Sequence, residues 1–205
     1  DLAVETIEQF YFSVDPERKF DLLVALLKKE EPAQAIVFCR TRRGTEKVQR
    51  RLSDIFPGVG TIHGDLQQSA RDRVMVRFRE GKLKVLVATD VVGRGIDVST
   101  VSHIINYDIP QFCDDYVHRV GRTGRMGREG VAYTFVSPEE GNELTRIEMR
   151  INLLLKRAEL EGFDALQKPQ PTDDAETLMA AAEGAPPPPP KPIFGKLNRR
   201  YRRAL

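Results

Sequence analysis

The sequence predicts an α/β domain, a mainly parallel sheet flanked by helices, followed by a Pro-rich tail with a basic end. Three observations lead there. Short β-branched runs alternate with stretches of helical periodicity as far as residue 160, the pattern of strand–helix–strand units. Some of these runs, such as 35–39 and 85–88, are apolar throughout, as strands covered on both faces are. Proline usage then changes abruptly: eight of thirteen prolines lie after residue 168, five of them consecutive at 186–190. The expected organisation is therefore a folded domain over 1–162 and a mostly disordered tail over 163–205, stiffened by polyproline.

Each element has its own signal. Residues 6–14 alternate loosely, as an edge strand or the first strand of a sheet does. Asp15 is expected to cap a helix with Pro16 at its first position, and Phe20, Leu23 and Leu27 recur at helical spacing until Pro32 stops it. Residues 35–39 read as a buried parallel strand, and Val48, Leu52 and Ile55 as the apolar face of a second helix. Further strands are expected at 59–62, 85–88, 104–107 and 131–136, with helices near 68–79 and 113–120. Ser137-Pro138-Glu139-Glu140 has the form of a capping box opening a long helix, with Leu144, Ile147, Ile151 and Leu154 on its apolar face. Leu153, Leu154 and Leu155 give that helix more apolar surface than one face needs; packing on its own sheet is the expectation, a dimer contact the alternative.

Composition excludes several classes. Thirty-two basic residues against thirty acidic leave a net charge of +2, so the total points to no partner and the distribution carries the information. No run of about eighteen apolar residues exists to span a membrane. Cys39 and Cys113 are too few and too far apart for a disulfide framework or a zinc site, and with His103 they are expected in core or structural roles. A reducing cytoplasm fits. The chain opens on Asp1 without an apolar leader, which is expected of a piece of a longer protein.

The segment from Tyr116 to Arg128 carries the most chemistry. Arg119, Arg122, Arg125 and Arg128 are spaced by three and interleaved with Gly121, Gly124 and Gly127, with no acid before Glu129. Such a cluster repels itself unless an anion sits against it. Arginine offers a rigid fork of donors matched to phosphate oxygens, and glycine lets backbone approach a ligand closely. The alternative is a solvated basic loop, which the ordered spacing disfavours. A second segment, Thr89-Asp90-Val91-Val92-Gly93-Arg94-Gly95-Ile96-Asp97, follows the 85–88 strand, where a parallel sheet presents its binding loops. Thr89 and Arg94 suit phosphate and Asp97 suits a ribose hydroxyl; a strand-to-helix turn capped by Asp90 explains the same residues equally well. His63-Gly64-Asp65, Gln68 and Arg71 form a third segment, where His63 alone reads as a turn residue and Arg71 alone as solvated.

Taken together, the segments resemble the second, C-terminal RecA-like domain of bacterial-type DEAD-box ATP-dependent RNA helicases. Residues 36–41, Ile-Val-Phe-Cys-Arg-Thr, look like motif IV, and Gln68 with Arg71 like its Gln-x-x-Arg extension. Residues 88–97 look like motif V, and 118–125, His-Arg-Val-Gly-Arg-Thr-Gly-Arg, like motif VI. All occur in family order across roughly 1–160. Gly93 stands where many members have Ala or Ser.

The resemblance implies roles. Arg122 and Arg125 would be arginine fingers reaching the ATP γ-phosphate, and Asp97 would accept from the ribose. Arg71, Thr89 and Arg94 would contact the RNA backbone. His118 and Arg119 would brace the interface with the N-terminal RecA-like domain of the same protein. That domain would carry the phosphate-binding loop, the Asp-Glu-Ala-Asp box and hence the Mg2+ of ATP; no Gly-Lys-Ser/Thr run occurs here. The chain alone would be inactive, half of an ATP hydrolase. Lys191, Lys196, Arg199, Arg200, Arg202 and Arg203 in the tail, with Tyr201 among them, suggest an auxiliary RNA tether, with a solubilising terminus as the alternative. A DNA helicase of the same superfamily and a non-enzymatic docking platform are the rival classes; the His-Arg opening of motif VI and the retained arginines disfavour them.

Overall fold

The computed structural model describes residues 7–90, 100–122 and 130–166, which fall within one compact unit, Asp1–Gln167. The strands are β1 (Glu8–Ser13), β2 (Ala35–Phe38), β3 (Val59–Ile62), β4 (Val85–Ala88), β5 (His103–Asn106), β6 (Val131–Val136) and β7 (Lys156–Arg157). They form one sheet in the order β3-β4-β2-β5-β6-β1-β7, and every pairing in it is parallel. The helices are α1 (Lys19–Glu30), α2 (Arg42–Ser53), α3 (Gln68–Arg79), α4 (Cys113–Val120) and α5 (Gly141–Ile151).

Parallel strands need crossover connections, and here helices supply them on both faces, so side chains alternate between two cores. On one face Ile36, Phe38, Leu86, Ala88 and Ile104 pack against Phe78 of α3, Tyr116 and Val120 of α4, and Leu144 and Ile147 of α5. On the other, Ala35, Val37, Val85, Val87 and Ile105 pack against Leu22, Leu23 and Leu26 of α1 and Val48 and Leu52 of α2. Burial on both faces explains why the central strands read as continuous apolar runs.

Local chemistry sets the boundaries. The Oγ1 of Thr41 accepts from Gly44 N at 3.0 Å and caps α2. Glu31 takes a left-handed φ of 44° and ends α1 just before Pro32. Gly58 (φ 72°) turns the chain into β3 against the Lys82 carbonyl, where a side chain would collide. Ser137 N donates to Glu140 Oε1 at 3.0 Å, as the capping-box pattern requires.

One alternative is decided and two expectations are corrected. Strand β1 is the first strand in chain order and not an edge strand, because the two residues of β7 pair with it through Phe10 and Tyr11. The strand expected at 104–107 starts one residue earlier, at His103. The final helix is short: Asn152 adopts a left-handed φ of 53° and stops it, so Leu154 is 79% exposed while Leu155 turns into the core. Packing continues through residue 166, where Leu160, Phe163 and Ala165 lie against the second core.

Candidate functional site

Because every strand runs the same way, all carboxyl ends share one edge. Along it stand Arg40 after β2, His63 after β3, Thr89 and Asp90 after β4, and Asp108 after β5. Helices α2 and α3 start on this edge, since each follows its strand within a few residues.

Arg119 organises the middle of the edge. It is 2% exposed, yet each of its three guanidinium nitrogens has an acceptor. Its Nη2 donates to Asp90 Oδ2 at 2.6 Å, and its Nε donates to Asp90 Oδ1. The Nη1 donates to Asn106 Oδ1 at 3.2 Å and to the Asp108 carbonyl at 2.9 Å. Asn106 is held in turn by donating to Thr134 Oγ1 at 3.1 Å, its register partner on β6. Phe38 lies beneath, with its ring centre 5.1 Å from the guanidinium carbon. A buried cation survives only with such pairing. Arg119 therefore links the ends of β4 and β5 to α4 inside the domain, and does not face outward as an interface brace.

A second ion pair extends the network. Lys19 Nζ, also buried, donates to Asp108 Oδ1 at 3.1 Å. The other carboxylate oxygen accepts from Arg40 N at 2.8 Å. Arg40 Nη2 reaches the Ile109 carbonyl at 3.2 Å and Glu140 Oε2 at 3.5 Å. At the β3 end, His63 Nε2 lies 3.0 Å from Glu46 Oε1, Asp65 N donates to His63 Nδ1 at 3.3 Å, and Arg42 pairs with Asp65. His63 is thus the turn residue that its context suggests.

The groups suited to a ligand occupy what remains. Thr89 is 6% exposed, and its Oγ1 is buried with no hydrogen-bond partner among the described residues. Arg71 stands half-buried in the first turn of α3, and among the described residues no acidic side chain pairs with it. Neighbouring Gln68 instead donates to Asp72 Oδ1 at 2.8 Å. His118 is exposed, and Arg122 is half-buried with its amide donating to the Arg119 carbonyl at 3.2 Å. Arg94, Asp97, Arg125, Lys191, Lys196, Arg199, Arg200, Arg202 and Arg203 lie outside the described residues. Among the described residues no three His, Cys, Asp or Glu side chains gather as a metal ion would need, and no helix is long and apolar enough to cross a membrane.

Cys39 is fully buried, and burial pushes its thiol pKa up, so it stays protonated. Asn106, Asp108 and Lys19 are the members of the network that the motifs did not single out. Their signal is weak because each is an ordinary polar residue at or just past the end of a strand, or at a helix start.

Known proteins resemble the chain closely. The family described as helicase conserved C-terminal domain matches residues 18–127. The DEAD-box ATP-dependent RNA helicase CshA of Bacillus thuringiensis is 41% identical over 183 residues, 89% of this chain and 35% of that protein. The ATP-dependent RNA helicase CshA of Listeria monocytogenes is 51% identical over 142 residues, 69% of this chain and 27% of that protein. The chain thus spans about a third of the length of the curated relatives it matches. Among solved structures, the E. coli DEAD-box protein SrmB bound to regulator of ribonuclease activity A superposes with a TM-score of 0.71 at 35% identity, over 79% of this chain and 98% of that one. Dbp5 of S. cerevisiae bound to RNA and ADP BeF3 gives a TM-score of 0.70 at 37% identity, over 75% of this chain and 41% of that one.

Proposed function

We propose, from the premise that this chain belongs to the family of helicase conserved C-terminal domains, that it is the second half of a DEAD-box ATP-dependent RNA helicase. It contributes arginine fingers to an ATP site shared with the N-terminal RecA-like domain of the same protein, and part of an RNA-backbone surface. Its place of work is the cytoplasm.

One observation carries the RNA-facing half of this proposal. The buried Thr89 hydroxyl stands on the same sheet edge as the Arg71 cation, and among the described residues the hydroxyl has no hydrogen-bond partner and the cation no acidic one. Leaving a buried polar group unsatisfied costs about 1–3 kcal/mol, which a ligand oxygen relieves. A phosphate supplies that oxygen and also matches the Arg71 guanidinium, at the positive end of α3. Arg94 adds a third donor. Contacts of this kind position the strand without reading its bases, so little sequence preference is expected.

The donor set also fits ATP. ATP, with Mg2+ held by the N-terminal domain, supplies the phosphoryl group whose transfer to water powers the cycle. Arg122 and Arg125 donate to the oxygens on which charge spreads during transfer, and Asp97 accepts from the ribose. Because these donors come from the second domain, they act only when the two domains meet, which ties hydrolysis to RNA binding. His118, exposed at the end of α4, is available to the interdomain surface. The basic residues of the tail, Lys191 to Arg203, serve as an auxiliary tether for single-stranded RNA.

The test is ATP turnover. The complete protein should hydrolyse ATP faster with RNA than with DNA of the same length, and residues 1–205 alone should not turn ATP over. Magnesium-dependent hydrolysis by the fragment, or a complete protein indifferent to RNA, contradicts the assignment.

A further inference from the structure

We infer that the outward stripe of α2, formed by Arg43, Lys47 and Arg50, is a second phosphate-binding surface, which receives RNA running past the carboxyl edge of the sheet. The inference rests on the helicase function proposed above and names where its RNA goes beyond that edge.

Charge on the domain is segregated. Residues 40–84, which supply α2, β3 and α3 at one end of the sheet, hold twelve basic residues and five acidic. The other described residues hold ten basic and seventeen acidic, so the small net charge conceals a basic end and an acidic remainder. Within the basic end α2 is the richest element, and two of its cations are occupied: Arg42 pairs with Asp65, and Arg51 lies over the Phe20 ring. The one acid of α2 is occupied too. Glu46 stands four residues before Arg50, a spacing at which opposite charges pair, yet its Oε1 lies 3.0 Å from His63 Nε2 instead. Arg43, Lys47 and Arg50 are left exposed, and among the described residues no acidic side chain pairs with them.

Their spacing puts them on one line. Steps of four and three residues share a face of the helix, here the one opposite the buried Thr45, Val48 and Leu52. The line starts at the carboxyl edge, where the Thr41 side chain caps α2, and runs about 10 Å along the helix. Like charges at this spacing repel one another. Arg43 also stands in the first turn, where the helix dipole favours an anion, and no acidic residue occupies that turn. A polyanion laid along the line relieves both. The chemistry favours RNA over an acidic protein, because protein interfaces are anchored by apolar or aromatic side chains, and none of the exposed large apolar residues lies within α2. RNA needs only cations in series, and this series begins on the edge that carries Thr89 and Arg71.

A basic face can also be merely solvated, so the test must read phosphate contacts. In the complete protein, affinity for single-stranded RNA is measured against salt, with the shortest oligonucleotide that stimulates ATP turnover and with one several times longer. Arg43→Gln, Lys47→Gln and Arg50→Gln, made together, should flatten the slope of log affinity against log salt for the long RNA by up to about two, at roughly 0.7 per phosphate. The slope for the short RNA and turnover at saturating RNA should not change. Glutamine suits an exposed helix position; should the triple variant not fold, Lys47→Glu is read instead and should weaken binding of the long RNA more than that of the short. Lys28→Gln with Lys29→Gln removes two exposed cations from the last turn of α1 and should leave both slopes alone. A long-RNA slope unchanged by the triple substitution, an equal loss on both RNAs, or the same loss from the α1 pair overturns the inference and leaves the helicase function standing. Poly-glutamate that binds the wild type but not the triple variant, with RNA slopes unchanged, assigns the stripe to an acidic protein and overturns it likewise. A wild type whose ATP turnover ignores RNA overturns both.

Discussion

The amide of Asp15 donates to the carbonyl of Ala165 across 2.9 Å, closing the end of the packed chain onto the start of its first helix. Nearby, Arg18 Nε donates to the Asp164 carbonyl at 3.1 Å, and its guanidinium carbon lies 4.7 Å from the centre of the Phe163 ring. Ala158 N donates to the Tyr11 carbonyl at 2.8 Å. Residues 156–166 thus form a strap over β1 and the turn that leads into α1, on the side of the sheet that α1 and α2 also cover.

The strap should matter for stability. Phe163 is half-buried, so Phe163→Ala should cost about 0.8–1.5 kcal/mol, half the value of a fully buried side chain of this kind. A chain ending at residue 162 should lose this and the Asp15–Ala165 bond, and unfold at lower urea than one ending at 166. Equal midpoints would show that the strap contributes nothing.

Gln34 is a second point of weakness that no motif marks. It is buried, and its Nε2 donates to the carbonyls of Phe78 at 2.6 Å and Leu83 at 2.9 Å, where α3 ends and β4 begins. The side chain thereby satisfies two carbonyls that water cannot reach. Gln34→Leu fills similar space but orphans both, and it should destabilise by about 1–3 kcal/mol in urea unfolding. A change well below that range would mean water replaces the amide.

Much of the fold was legible because strand and helix patterns here are reinforced by punctuation. The limits of α3 and α4 coincide with the expected 68–79 and 113–120, and the apolar runs at 35–39 and 85–88 are the interior strands β2 and β4, with β2 ending one residue early at Phe38. What escaped is what periodicity cannot encode. Two residues, Lys156 and Arg157, are too few to show a strand pattern, yet they move β1 from the edge to the interior. A left-handed Asn152 ends α5, whereas an apolar pattern through Leu154 reads as more helix. The site divides in the same way. The proposal of phosphate binding rests on the spacing of glycine and arginine. That Arg119 turns inward depends on Asp90, Asn106 and Asp108, brought together by the ends of two strands, β4 and β5.

One titration follows from the amino-terminal edge of the sheet. His103 is half-buried, with Ser102 Oγ 2.8 Å from its Nδ1 and the Tyr133 ring stacked 6.4 Å away. Burial lowers its pKa below the ordinary 6.5, although Glu30 acts in the opposite sense. Glu8 lines the same cleft. The unfolded chain therefore takes up a proton before the folded one does. This contribution to stability is complete above the unfolded value and declines as pH falls through 6.5 towards the lower, folded pKa. His103→Gln should flatten that part of a stability-versus-pH curve. A slope between pH 7 and 5 unchanged by the substitution would assign it to other groups.

The last expectation separates the two faces of the site by kinetics. Arg71→Ala in the complete protein removes a cation proposed to meet RNA phosphate, so it should raise the RNA concentration giving half-maximal stimulation and leave turnover at saturating RNA nearly intact. The effect should be alike on unrelated RNA sequences, because phosphates carry no base information. Arg122→Ala should do the reverse. Its side chain is proposed to act on charge that develops only during transfer, so turnover should fall by about 10³–10⁵ while nucleotide affinity without RNA hardly changes. The loss could be smaller only if Arg125 substitutes for it, and Arg122→Ala with Arg125→Ala should then restore the full deficit. Steady-state ATPase titrations over RNA and ATP read both constants from one data set. Arg122→Ala with wild-type turnover, alone and with Arg125→Ala, would remove the arginine fingers from this chain; a shift in turnover but not in RNA requirement for Arg71→Ala would move that residue from the RNA face to the nucleotide face.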